Sequence, residues 1–177
     1  MNSPLEYFLH WEKNNPDSIA FRQPKGDDWH TWTWKQAGTE VRSIAQHLRK
    51  QGLQPGDHVS LLSKNCTHWI LADLAIMMAG CVSVPLYPTL PAETIGQILE
   101  HSDSKAIIIG KLDNFDAQRP GVPASLKKVS VDYYGVRDGD WWSEIVKNTE
   151  PLAEPHSWQR DDLLTVMYTS GTTGQPK

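Results

Sequence analysis

The chain has 177 residues, 21% charged and 39% hydrophobic, with a formal charge of -4, a length that suits one domain with a sizeable core or part of a larger one. An acidic balance without any basic run excludes a nucleic-acid or anionic-membrane surface, which needs clustered Lys and Arg. Cys66 and Cys81 have neither metal-ligand spacing nor the density of a disulfide framework, and no apolar run reaches the roughly 18 residues of a membrane span, so the expectation is a cytoplasmic protein with both cysteines buried as small hydrophobes.

Ser3, Pro4 and Glu6 read as the N-cap, first-turn proline and capping-box partner of an entry helix that Pro16 stops. Two short extended runs follow around Lys25-Gly26-Asp27-Asp28, a hairpin turn by composition. Thr33 with Gln36 caps a second helix, in which Ala37, Val41, Ile44, Ala45 and Leu48 recur at helical spacing until Gly52. Trp29, Trp32 and Trp34 are expected as hairpin and helix-start packing; with Asp27 and Asp28 beside them they make a poor base-stacking platform.

From Pro55-Gly56-Asp57 the pattern is regular. The run HVSLLS, the almost wholly apolar WILADLAIMMA ending at Gly80, and the run CVSVPLY read as strand, buried helix and strand. Ile76, Met77 and Met78 are expected to pack on the sheet rather than to form a lipid stripe. Pro91 opens a helix carrying Ile95, Ile98 and Leu99; KAIII, KKVSV and finally LLTVMYTS read as further strands. Between Gly110 and Leu163 the signal is weaker, with four prolines, one short helix around Trp141 to Lys147, and Trp141 and Trp142 as anchors. The class is α/β: a layered, mostly parallel sheet with helices on both faces and a hairpin near the start.

The seven histidines are scattered without zinc spacing, so no metal site is expected among them, and His68 and His101 read as capping or surface groups. Asp161 and Asp162 are adjacent on an extended run and point to opposite faces, which suits strand entry and not a paired acid and base.

The chemistry lies in YTSGTTGQPK. Gly171 and Gly174 permit close backbone approach to an anion, Thr169, Ser170, Thr172 and Thr173 supply hydroxyl donors, and Lys177 supplies a compact positive charge. The spacing fits neither Walker A nor the dinucleotide fingerprint G-x-G-x-x-G. It does resemble the phosphate-loop signature of the adenylate-forming superfamily of acyl-CoA synthetases, luciferases and peptide-synthetase adenylation domains. TWTWKQAGTEVRSIAQHL through GLQPGDHVSLLSKN, and LADLAIMMAGCVSVPLYPT, look like that family's first two segments. VPLYPTL and DDLLTVMYTSGTTGQPK look most similar to long-chain fatty acyl-CoA synthetases.

The resemblance implies that residues 1–177 are the first part of the family's large N-terminal domain. It further implies activation of a fatty acid by ATP with Mg2+ to an acyl-adenylate, followed by transfer to coenzyme A. Thr169, Ser170, Gly171, Thr172, Thr173, Gly174 and Lys177 map onto the loop that holds the β- and γ-phosphates, while no catalytic acid or base is assigned. The family's later nucleotide motifs and C-terminal lid do not occur in this sequence. The expectation is therefore a piece inactive alone, prone to self-association through an open face, with the whole enzyme peripheral to a membrane at most. The competing readings are an adenylating enzyme for another carboxylate or acceptor, a non-catalytic nucleotide-binding module, and a Trp-mediated interaction module.

Overall fold

The computed structural model describes residues 3–169. Helix α1 (Pro4–Asn14) starts at the Ser3 capping box, in which Ser3 N donates to Glu6 Oε2 and Glu6 N to Ser3 Oγ. Strands β1 (Ile19–Lys25) and β2 (Asp28–Thr33) form an antiparallel hairpin in which Lys25 pairs with Asp28. Helix α2 (Trp34–Lys50) has the reciprocal Thr33–Gln36 cap and buries Ala37, Val41, Ile44, Ala45 and Leu48. Both caps were legible because each is a contact between residues three apart.

The second half of the fold is a five-stranded parallel sheet of order β4-β3-β5-β6-β7. It comprises β3 (His58–Leu62), β4 (Val82–Leu86), β5 (Ala106–Ile109), β6 (Lys127–Ser130) and the two-residue β7 (Asp140–Trp141). Helix α3 (Thr67–Ala79) joins β3 to β4, α4 (Ala92–His101) joins β4 to β5, the single-turn α5 (Phe115–Gln118) follows β5, and α6 (Trp142–Asn148) follows β7.

Register fixes which side chains share a face: Leu61 lies beside Ile108, and Leu62 beside both Leu86 and Ile109. Val59, Leu61, Ala106, Ile108 and Val129 therefore build one core with α1, α2, α3 and α6, while Leu62, Val84, Leu86, Ile107 and Ile109 build the other with α4 and α5. Every side chain of β5 is buried, as a strand covered on both faces requires. Ile76, Met77 and Met78 are likewise buried, in the core that α3, a helix apolar all round, shares with α2 and the sheet. No described helix is long and apolar enough to cross a membrane.

Four expectations need correction. LLTVMYTS is not a regular strand within the described residues; it makes one parallel bridge, Thr165 with Ser83 of β4. Ser83 N donates to Leu164 O and Val166 N donates to Ser83 O. The next residue of β4 whose backbone faces that edge is Pro85, which has no N–H, so the ladder stops there. The aromatic anchors divide: Trp32 and Trp142 are 2% and 3% exposed, each with its indole N–H donated to Glu40, whereas Trp29 is 63% and Trp141 37% exposed. His68 is buried rather than a surface group. Cys81 is buried as expected, but Cys66 is half-buried at the start of α3; both are free thiols.

Candidate functional site

Of the predicted phosphate-binding residues, Thr169 is described and exposed, and Ser170, Gly171, Thr172, Thr173, Gly174 and Lys177 lie outside the described residues. The structure shows how the chain is brought to Thr169. After α6 the chain runs to Thr165 without regular secondary structure, strapped down by side chains of α2. Ser43 Oγ donates to Thr149 O, Arg42 Nη1 to Leu152 O at 3.0 Å and Ala153 O at 3.3 Å, and Arg49 Nη1 to Glu154 O at 3.4 Å.

The same strap closes the C-terminal end of α3, whose last carbonyls lack helical partners. His156 N donates to Met78 O and Trp158 Nε1 to Met77 O at 2.8 Å, while Arg49 Nε reaches Ala79 O at 3.3 Å. Gly80, in the left-handed conformation at φ +88, lies under the His156 ring, where a Cβ would be 2.9 Å from it. Arg42 is itself held by Glu12 of α1, 3.0 Å and 2.8 Å from Nε and Nη2. A loop near the C-terminus is thus referenced to the first three helices.

Val166 makes the strap's last backbone hydrogen bond to the sheet among the described residues, and Tyr168 then turns its ring into the core on the α4 side. Its hydroxyl is hydrogen-bonded to His101 Nδ1 at 2.7 Å, the rings edge to face at 5.6 Å. Thr169 leaves from there, at the carboxyl end of the parallel strands, where α/β sheets place their ligands. A cavity of about 240 Å³ opens at that end, walled by Trp69, Leu86, Tyr87, Met167 and Tyr168, with Ser63 and Asn65 as its polar groups.

The strand order reverses between β3 and β5, the position where such sheets commonly open a crevice. Here it is filled: Ser63 Oγ donates to Lys64 O and accepts from Lys111 N, and a Cβ on Gly110 would lie 2.4 Å from that oxygen. Lys64 is paired with Asp113 across the same spot. The open space is consequently on the β4 side, beside Met167 and Tyr168. A larger cavity of about 850 Å³ runs along α4 between Glu93, Glu100, Asp103, Lys105, Gly121 and Leu126. It holds none of the predicted site residues, and three carboxylates against one lysine make it unsuited to phosphate.

Sequence reading missed one polar cluster in the core. Glu40 of α2 accepts from Trp32 Nε1 and Trp142 Nε1, both at 2.7 Å, and so ties the hairpin and α6 to α2. His68 Nε2 lies 3.9 Å from the same carboxylate, and its Nδ1 is 3.2 Å from the Tyr134 hydroxyl. Burial, aided by His30 and opposed by Asp132, pushes the His68 imidazole down to about 4, so its approach to Glu40 is not an ion pair at neutral pH. Among the described residues no three His, Cys, Asp or Glu side chains are grouped to hold a metal ion.

The buried histidine sets a pH dependence. Folded His68 stays neutral, whereas the unfolded chain takes up a proton near the ordinary value of 6.5. The stability this contributes is complete above that value and is lost as pH falls towards 4. Burial raises the Glu40 carboxyl above 4.5, and its contribution runs the other way, falling as pH rises through the raised value. Replacing His68 by Phe is therefore expected to flatten the loss of stability between pH 6.5 and 4.5 in urea unfolding; an acid limb as steep as that of the wild type would contradict this.

A model of the family described as AMP-binding enzyme matches residues 8–177. A long-chain-fatty-acid–CoA ligase of Mycobacterium bovis is 29% identical over 178 residues, covering 94% of this chain and 29% of that protein. Long chain acyl-CoA synthetase 2 of Arabidopsis thaliana is 27% identical over 198 residues, covering 100% of this chain and 30% of that protein. The chain thus spans less than a third of the length of these relatives. Among solved structures, acetoacetyl-CoA synthetase from Streptomyces lividans aligns with a TM-score of 0.84 at 23% identity, over 97% of this chain and 29% of that one. A benzoate CoA ligase from Burkholderia xenovorans gives 0.78 at 18% identity, over 95% and 33%. These structural likenesses establish the fold, which is that of the N-terminal domain of adenylate-forming enzymes. With the family pattern matched from Phe8 to Lys177, the chain belongs to the AMP-binding enzyme family.

Proposed function

We propose that the chain is the phosphate-loop-bearing first part of an ATP-dependent acid–thiol ligase that activates a fatty acid and transfers it to coenzyme A. The observation that carries this reading is the strap: residues 149–168 are fixed to α2, α3 and β4 so that a Gly-Thr-Ser loop with a lysine begins at the carboxyl end of a parallel sheet, beside an apolar-walled cavity. The names of the relatives, long-chain-fatty-acid–CoA ligase and long chain acyl-CoA synthetase, favour a fatty acid as the carboxylate.

In this reading a carboxylate oxygen attacks the α-phosphorus of ATP, the bond to the β-phosphate oxygen breaks, and pyrophosphate leaves with the acyl-adenylate as product. The coenzyme A thiolate then attacks the acyl carbon and AMP departs. The loop acts on the first step. Thr169, Ser170, Thr172 and Thr173 donate hydroxyl hydrogen bonds to the β- and γ-phosphates, and Gly171 and Gly174 let backbone N–H groups approach them. Lys177 neutralises the charge that builds on pyrophosphate as it leaves, an electrostatic and positioning task. Magnesium would arrive with ATP and would offset part of the charge on its phosphates.

The activity is that of the whole enzyme, and the 177 residues alone are expected to be silent. The test is carboxylate-dependent exchange of pyrophosphate into ATP by the full-length gene product, across a panel of acyl lengths. Exchange with an optimum among fatty acids supports the reading. ATP binding without exchange for any acid would replace it with a non-catalytic nucleotide-binding module.

A further inference from the structure

Pro85 withholds the N–H that would extend the pairing of β4 with the strap beyond Ser83, so the chain is not carried to the loop by a continuous ladder. Met167 is 71% exposed, and Thr169 is exposed as well. Between them Tyr168 is 9% exposed, the only side chain from 167 to 169 that is anchored in a core. Its ring packs with the α4-side cluster, which includes Ile95, Ile98 and Leu99 of α4. Its polar end meets His101, the last residue of that helix, at 2.7 Å. A phenol ring on a buried face can slide along an apolar wall; a hydrogen bond to the exposed His101 at the end of α4 opposes that sliding.

We propose that His101 is a positioning residue for the phosphate loop: from the end of α4 its Nδ1 holds the Tyr168 hydroxyl, fixing the point and direction from which the chain leaves the sheet. The inference rests on the reading of residues 169–177 as the triphosphate loop. His101 touches no substrate in it; the residue acts through Tyr168, setting where the loop's donors stand relative to the β- and γ-phosphates. A small displacement of such donors weakens every contact they make. Packing alone would leave this placement to the ring, whereas the hydrogen bond makes it depend on one atom of each partner.

The test uses the full-length gene product and compares Tyr168→Phe, His101→Leu, the double variant and His101→Asn, whose side-chain amide can occupy the place of Nδ1. With pyrophosphate exchange as the assay, each of the first two is expected to raise KM for ATP about fivefold, the size of one ordinary hydrogen bond, with KM for the carboxylic acid unchanged. The double variant should be no worse than either single one, and His101→Asn should recover to within about twofold of wild type, since the hydrogen bond is restored. Unchanged KM for ATP in both single variants, additive losses, or equal rises in both substrates' KM would overturn the proposal. If the wild type shows no exchange, the carboxylate-activation reading falls, and binding of inorganic tripolyphosphate by calorimetry decides this one separately. About fivefold weaker binding by Tyr168→Phe supports it, for the same single hydrogen bond; equal binding, or none by the wild type, overturns it.

Discussion

Glu40→Leu is expected to lower the unfolding free energy by about 3 kcal/mol, because two buried indole N–H groups lose a charged acceptor at once. Trp32 Nε1 and Trp142 Nε1 each donate to a separate carboxylate oxygen at 2.7 Å, and both tryptophans are almost fully enclosed. Glu40→Gln keeps the shape but offers one oxygen and one NH2, so one indole N–H would face another donor; a loss of about 2 kcal/mol is expected. Adding Trp32→Phe and Trp142→Phe to Glu40→Leu should cost less than the sum of the three single changes, since removing a buried polar group together with its partners leaves none of them unpaired, whereas each single change does. Urea unfolding at neutral pH measures all of these. A Glu40→Leu variant as stable as wild type would show that the carboxylate's own desolvation, which raises its pKa, already cancels what the two hydrogen bonds contribute.

Lys177→Ala in the full-length enzyme is expected to reduce kcat/KM for ATP by about 100-fold, the scale seen when one preorganised charge-stabilising group is lost from a reacting centre. KM for the carboxylic acid should move little, because the lysine is assigned to the departing pyrophosphate and not to the acyl group. Lys177→Arg should recover only part of the loss: a guanidinium is planar and forked where the ammonium is a compact point charge. A loss under about threefold for Lys177→Ala would remove the lysine from the phosphate site, since so small an effect is that of an exposed, screened charge.

Local signals carried the legible part of the fold. The two capping boxes, the Lys25–Asp28 turn and the Gly80 helix end each depend on residues within a few positions of one another, and each is in place. The fully apolar run AIII reads as a strand of a sheet covered on both faces, and it is one. What stayed hidden depends on partners far along the chain. The stretch 149–164 has no period because arginines of α2, roughly a hundred residues earlier, supply its hydrogen bonds. LLTVMYTS has a strand's composition, but its ladder is cut by a proline in the strand it would join. His68 reads as a polar helix-start residue and is enclosed only because Trp32, Tyr133, Tyr134 and Trp142 converge on it from three other segments. The site shows the reverse pattern. Its loop was the clearest signal in the sequence, and most of that loop lies outside the described residues, so the structure contributes the anchoring of its base.

The measurement that bears most directly on the account is the identity of the products formed when the full-length gene product is mixed with Mg-ATP and a fatty acid in the absence of coenzyme A. Mass spectrometry should find an acyl-AMP with one equivalent of pyrophosphate, and adding coenzyme A should convert it to acyl-CoA and AMP. Acyl phosphate with ADP, or unchanged ATP with every acid tried, would contradict it.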